Sequence, residues 1–177
     1  MVKVQRLNTH SLDTDRRIVR TRRALLAALN ELVLSQSYAS IRVEDILRRA
    51  GIGRSTFYQH FDGKDDLLTQ AMSGLLDVLA DSVETNANPR LMEILEHFWE
   101  NRRFAGAILS GDAGALVHER LRLRMLERLS TRLPLGEARI RARAVSSGQL
   151  AVLRAWLTGA EPATVEQLEK ELRLLGG

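Results

Sequence analysis

RVEDILRRAGIGRSTFYQHFDGKDDLL, residues 42 to 68, reads as helix, turn, helix, turn, helix. Val43, Ile46, Leu47 and Ala50 recur at helical spacing, and Gly51 then breaks the pattern where the backbone has to turn tightly. Gly53 is a permissive N-cap for a second short helix, Arg54 to Phe61, whose Phe57 and Phe61 fall four apart on one face. Those two rings require burial. The opposite side carries Arg54, Ser55, Tyr58 and Gln59, a dense set of donors for phosphates and base edges on a helix too short to need them for its own stability. A helix, a short turn containing Gly and a second, polar-faced helix form the helix-turn-helix pattern.

The remaining composition fits that reading. The 177 residues are 45% hydrophobic, enough to build a core, and the three prolines, twelve glycines and abundance of Leu, Ala, Arg and Glu point to a nearly all-helical chain. No segment approaches the roughly 20 apolar residues that span a membrane, and no apolar stretch of signal-peptide type opens the chain, so a cytoplasmic protein is expected. With no cysteine, disulfides and thiolate zinc sites are excluded. Charge is unevenly shared. Residues 1–64 hold 12 Lys or Arg against 6 Asp or Glu, whereas residues 65–177 hold 14 against 16. A basic N-terminal part joined to a slightly acidic remainder is the footprint of a DNA-binding end, although a solvated Arg-rich face gives the same count.

Around the central stretch, residues 1–13 show no period and are expected to form a flexible arm. From Thr14, a stripe of Ile18, Leu25, Leu29, Leu32 and Val33 marks a first helix, with Arg16, Arg17, Arg20 and Arg23 largely off it. After Asp62-Gly63 the spacing predicts one long helix from Lys64 to about Asn86, then a break to Pro89. Further helices are expected over residues 90–102, from Ala113 to about Leu133, from Glu137 to Thr158 and from Thr164 to Leu175. Glu93, His97 and Glu100 share a helix face and are read as a wet or polar spot rather than a metal site; His118-Glu119 begins an HExxH motif that Arg122 terminates. Arg120, Arg122, Arg124, Arg128 and Arg132 read as a solvated face. With no nucleophile and base constellation, phosphate-binding Gly loop or complete metal motif, no enzyme and no cofactor are expected.

The string Ala50-Gly51-Ile52-Gly53-Arg54-Ser55-Thr56-Phe57-Tyr58, followed by His60-Phe61 and Lys64-Asp65-Asp66-Leu67-Leu68, closely resembles the DNA-binding segment of the TetR family of bacterial transcriptional regulators. The resemblance extends over about residues 18–70 and is architectural beyond. It implies an all-α fold of about nine helices: an N-terminal three-helix helix-turn-helix DNA-binding domain over residues 14–63 and a C-terminal helical domain for ligand binding and dimerisation over residues 64–177.

By the same resemblance, Arg54, Ser55 and Gln59 are candidate base readers, and Thr56, Tyr58, His60 and Lys64 candidate phosphate clamps. The chemistry agrees, since Arg pairs with guanine, Gln with adenine, and Tyr, Thr and Lys donate to phosphate oxygens. His60 is equally a structural helix-end donor. Arg42 stands where the family usually has Thr or Ser; it has no acceptor for capping and is expected to touch phosphate only. Glu44 is either a helix-dipole partner or a carboxylate facing bases. The implied effector pocket is placed at Met72, Leu75, Met92, Leu95, Trp99, Phe104 and Val117. Small residues Ala144, Gly148, Ala151 and Ala155, with Leu168 and Leu172 nearby, are the candidate homodimer interface, or else intrachain core. The expected function is a repressor, released from double-stranded operator DNA by an unknown small-molecule effector. The alternative is a TetR-shaped co-activator that binds a protein partner instead of DNA.

Overall fold

The computed structural model describes the backbone of residues 3–84 and 89–177, with side chains from residue 16 onward. In chain order these residues form α1 (Lys3–Val33), a 3-10 turn (Tyr38–Ser40), α2 (Val43–Ala50), α3 (Arg54–Tyr58), α4 (Lys64–Ala71), α5 (Ser73–Asp81), α6 (Leu91–Glu100), α7 (Arg102–Ser110), α8 (Gly114–Leu129), α9 (Leu135–Thr158) and α10 (Val165–Gly176), with no strand among them. Helix α1 begins at Lys3, so helical backbone covers residues 3–13, where an arm was expected. The expected helix end at Asn86 and most of the break to Pro89 lie outside the described residues.

The stretch expected as one helix from Lys64 is two. At Met72 the backbone sits at φ −92°, ψ −2°, the Ser73 hydroxyl donates to the Gln70 carbonyl (2.9 Å), and Gly74 follows. A hydroxyl competing for a helix carbonyl next to a glycine weakens that turn. The apolar stripe continues across the break as Leu67, Leu68, Leu75, Leu76 and Leu79, all fully buried.

Helices α1 to α3 pack around Leu25, Leu29, Ile41, Ile46, Phe57 and Phe61. The 3-10 turn entering α2 is held from two other elements. Asp112, in the turn between α7 and α8, accepts the backbone N–H of Tyr38 (3.0 Å) and of Ala39 (2.6 Å). The Tyr38 hydroxyl donates to Asp65 on α4 (2.7 Å), and burial together with that carboxylate keeps the phenol protonated well above its ordinary range. Asp112→Ala is expected to cost on the order of 1–2 kcal/mol through two lost charge-assisted bonds, read as earlier loss of structure in the α1–α3 domain on thermal denaturation.

Helices α5, α8 and α9 form the centre of the C-terminal part, with α10 laid across α9, α6 and α5. The arginines of α8 are not simply solvated: Arg124 pairs with Asp77 (3.1 Å) and Arg128 with Asp81 (2.6 Å) on α5, while Arg122 pairs with Glu119 (2.6 Å). Inside, the fully buried Gln149 amide donates to Ser82 Oγ (2.8 Å) and to Leu172 O (3.0 Å), tying α9 to α5 and α10. Gly176 closes over the same place, where an added Cβ would lie 2.3 Å from Ser82 Oγ. This packing corrects the expected dimer interface: Leu168 and Leu172 are 2% and 0% exposed inside one chain and have no surface left for a second copy. A Cβ added at Gly148 would lie 3.5 Å from Leu175 of α10, whereas Ala144 and Ala151 stay exposed and Ala155 half-buried.

Candidate nucleic-acid interface and ligand cavity

The reading head is built on two turns. Gly51 ends α2 at φ +66°, a left-handed conformation that an L side chain adopts only with strain, and Ile52 N–H reaches back to Leu47 O (3.2 Å). Gly53 then starts α3 from an extended backbone. Only five residues long, α3 owes its place to Phe57, which is fully buried and packs its ring against Phe61 at 5.5 Å and edge-on to Tyr58 at 5.2 Å. With Phe57 turned inward, Arg54, Ser55, Tyr58 and Gln59 face out together, Tyr58 at 48% exposure; Thr56 and His60 are half-buried at the flanks.

Three of the expected DNA-contacting side chains are engaged within the protein. The Arg54 guanidinium donates to the Glu44 carboxylate (2.5 Å) and lies 5.9 Å from the centre of the Tyr58 ring. Glu44 is therefore more than a dipole partner: it links α2 to α3 across the turn. Lys64, expected as a phosphate clamp, is held by backbone carbonyls here. Its ammonium donates to Tyr38 O (2.7 Å), Ile41 O (2.8 Å) and Ala39 O (3.3 Å) and sits 4.5 Å from the centre of the Tyr38 ring, tethering the 3-10 turn to α4. A phosphate would have to draw it out of that cage. Arg42 is exposed at the start of α2 without a side-chain cap; the helix start is closed instead by Asp45, whose carboxylate accepts the Arg42 N–H (3.1 Å). Arg16, Arg17, Arg20 and Arg23 of α1 are exposed.

The expected pocket is only partly assembled. A cavity of about 210 Å³ lies between α1, the α4–α5 break, α6 and α7, lined among others by Asn30, Met72, His97, Phe98, Asn101 and Phe104. Met72 and Phe104 line this cavity. Leu75, Leu95 and Val117 do not: they are buried in the general core. Trp99 turns the other way, stacking on Trp156 with ring centres 4.6 Å apart beneath the Arg102 guanidinium, and half-buried Met92 lies on the same outer side of α6. The reason is helical register: α6 gives its core face to Leu91, Leu95 and Phe98, at i, i+4 and i+7, which rotates positions 92 and 99 away. Among the described residues no three His, Asp or Glu side chains converge as metal ligands. None of their helices is long and apolar enough to cross a membrane.

Residues 25–71 match the family model described as bacterial regulatory proteins, tetR family. Over 83 residues the chain is 37% identical to YxbF of Bacillus subtilis (strain 168), named an uncharacterized HTH-type transcriptional regulator, a match covering 46% of this chain and 22% of that protein. It is 29% identical over 82 residues to the HTH-type transcriptional regulator AlkX of Mycobacterium tuberculosis (strain ATCC 25618 / H37Rv), covering 46% of this chain and 39% of the relative. The chain thus spans well under half the length of the curated relatives it matches. A solved TetR transcriptional regulator from Streptococcus agalactiae 2603V superposes with a TM-score of 0.54 at 26% identity, covering 94% of this chain and 98% of the other, so the likeness of fold extends past the helix-turn-helix. Regulators of this fold are not enzymes. The reading head is matched by the family model and the helical arrangement is similar to that of a solved regulator, so residues 25–71 carry a TetR-type DNA-binding segment within a TetR-like helical fold.

Proposed function

We propose that this protein is a sequence-specific, DNA-binding transcriptional repressor of the cytoplasm, acting as a homodimer and released from its operator by a small molecule. One observation carries the reading: α3 is anchored by buried Phe57 so that Arg54, Ser55, Tyr58 and Gln59 project together from an Arg-rich domain. In the duplex, Arg54, Ser55 and Gln59 read base edges in the major groove while Tyr58, Thr56 and His60 hold phosphates. Arg42 and the exposed arginines of α1 add phosphate contacts. Lys64 contributes by keeping the 3-10 turn seated rather than by touching DNA. Two copies related by a two-fold axis would present α3 to successive major grooves about 34 Å apart.

The dimer surface we assign is the outer face of α9, where Ile140 (74% exposed), Ala144 and Ala151 form a line beside Leu175 (38% exposed). The division into a DNA-binding domain over residues 14–63 and an effector and dimerisation domain over residues 64–177 is part of the same proposal. Selection of bound duplexes from a random library tests it: a near-palindrome with half-sites one helical turn apart supports the reading, and no enriched sequence opposes it.

The Glu44–Arg54 pair adds an expectation. Freeing Arg54 and removing a negative charge from the DNA-facing side, Glu44→Gln is expected to tighten duplex binding about two- to fivefold at low salt, since an exposed ion pair is worth only about 0–1 kcal/mol. Titrations of both proteins against one labelled duplex check this; weaker binding would mean that the carboxylate itself reads a base.

A further inference from the structure

A second depression, of about 340 Å³, lies where the turn between α7 and α8 meets α9 and shares no lining residue with the cavity at Met72. Its polar lining is Ser110, His118, Ser147 and Arg154, and no Asp or Glu lines it. Arg154 is exposed and forms no ion pair among the described residues. His118 is held by two serines. Ser146 Oγ donates to Arg143 O (3.2 Å), so its oxygen accepts from His118 Nε2 (3.1 Å), and that nitrogen carries the ring proton. Ser147 Oγ, 3.1 Å from the same nitrogen, therefore meets an N–H rather than a lone pair, and its own O–H has no acceptor among the described residues. The wall offers a guanidinium and a spare hydroxyl donor, beside an imidazole that is neutral or positive and never negative. The remaining lining is apolar, from Leu109 and Leu150 with two alanines.

We infer that this depression binds a small organic anion, a carboxylate with a short apolar body, whose oxygens take the Arg154 guanidinium and the Ser147 hydroxyl. The sign of the charge follows from a wall with a cation and no carboxylate to neutralise it. One guanidinium as the only permanent charge matches a monoanion, and the apolar part of the lining matches an alkyl body. The place gives the occupant leverage. Ser110, Gly111 and Gly114 flank Asp112, whose carboxylate seats the Tyr38 and Ala39 N–H groups at the entry to α2. That turn has little slack: a Cβ added at Gly111 would lie 2.7 Å from Ala107 O, and one at Gly114 2.8 Å from Leu109 O. A ligand pressing on the turn therefore bears on the 3-10 turn through Asp112. This effect on DNA rests on the ligand-release reading above; the binding itself does not.

Hexanoate and hexanamide, alike in size and shape but differing in charge, separate the two questions. Because Ala151 of the lining also belongs to the α9 face assigned to pairing, the full chain is titrated in its assembled state. NMR titration at constant low ionic strength, read on the His118 ring signals and assigned with His118→Gln, is expected to show hexanoate bound about fivefold more tightly than hexanamide. Arg154→Gln should bring the two within about twofold. Arg141→Gln, on the same helix but outside the depression, should leave the preference intact, which separates this site from general attraction to an arginine-rich helix. Ala115→Leu, which narrows the depression from α8, should weaken both probes. Equal affinity of the two probes for the unaltered chain, a preference that survives Arg154→Gln, an equal loss in Arg141→Gln, binding unaffected by Ala115→Leu, or no binding of either probe would each overturn the assignment. Saturating hexanoate with an operator duplex then tests release separately: Arg154-dependent binding without a change in DNA affinity leaves the site standing and removes ligand release through it.

Discussion

Phe57→Ala is expected to destabilise the N-terminal domain by about 3–5 kcal/mol and to abolish specific DNA binding with it. A helix of five residues has no intrinsic stability in water, so α3 stays folded only because its single fully buried ring is packed against Phe61 and the edge of Tyr58. Removing that ring leaves a cavity under the helix and nothing to fix which way Arg54 and Gln59 point. Thermal denaturation followed by circular dichroism, with titration of a labelled duplex, reads both effects. The control is Tyr58→Ala, whose side chain is half exposed: it should leave most of the stability intact while weakening DNA binding. Normal DNA binding by Phe57→Ala would show that α3 does not form the interface.

The second large effect is expected from Ala144→Arg. Ala144 is an exposed small residue on α9 in line with Ile140 and Ala151, and Arg122, Arg139 and Arg143 already surround the depression it shares with Ile140. An added guanidinium would push a long charged side chain into the face assigned to pairing, among like charges. The variant should sediment as a monomer at micromolar concentration with little change in its melting temperature. Its affinity for a two-half-site duplex should fall by about 10²–10⁴, because the second half-site is no longer bound intramolecularly. Sedimentation as an unchanged dimer would move the interface elsewhere, with the exposed Leu123, Leu135 and Leu174 among the remaining apolar surface.

The reading head was legible from sequence because every determinant of it is local. Gly51 at its positive φ, the Val43–Ala50 spacing and the Phe57–Phe61 pair lie within twenty residues, and each leaves a mark in the pattern. What the sequence did not disclose depends on partners far along the chain. Asp112 is an ordinary turn aspartate until folding brings it to Tyr38 and Ala39, 74 and 73 residues away. Lys64 looked like a surface cation because the carbonyls that enclose it, between Tyr38 and Ile41, carry no side-chain signature. The break at Met72 was hidden by an apolar stripe that runs through it unchanged. The cavity lies elsewhere for a related reason: the register of α6 turns Trp99 off the face of Leu91, Leu95 and Phe98, and the ring it meets there, Trp156, comes from far along the chain.

The most direct test of the account is fluorescence anisotropy of the purified protein with its own upstream intergenic DNA and with a scrambled duplex, over several salt concentrations. Specific binding to the upstream duplex, lost in Tyr58→Ala while the fold remains, is the predicted result. Equal, steeply salt-dependent binding to both duplexes would report only the electrostatic attraction of an Arg-rich surface to phosphate. Absence of binding to either duplex at low salt would contradict the central claim and favour a regulator that works through a protein partner.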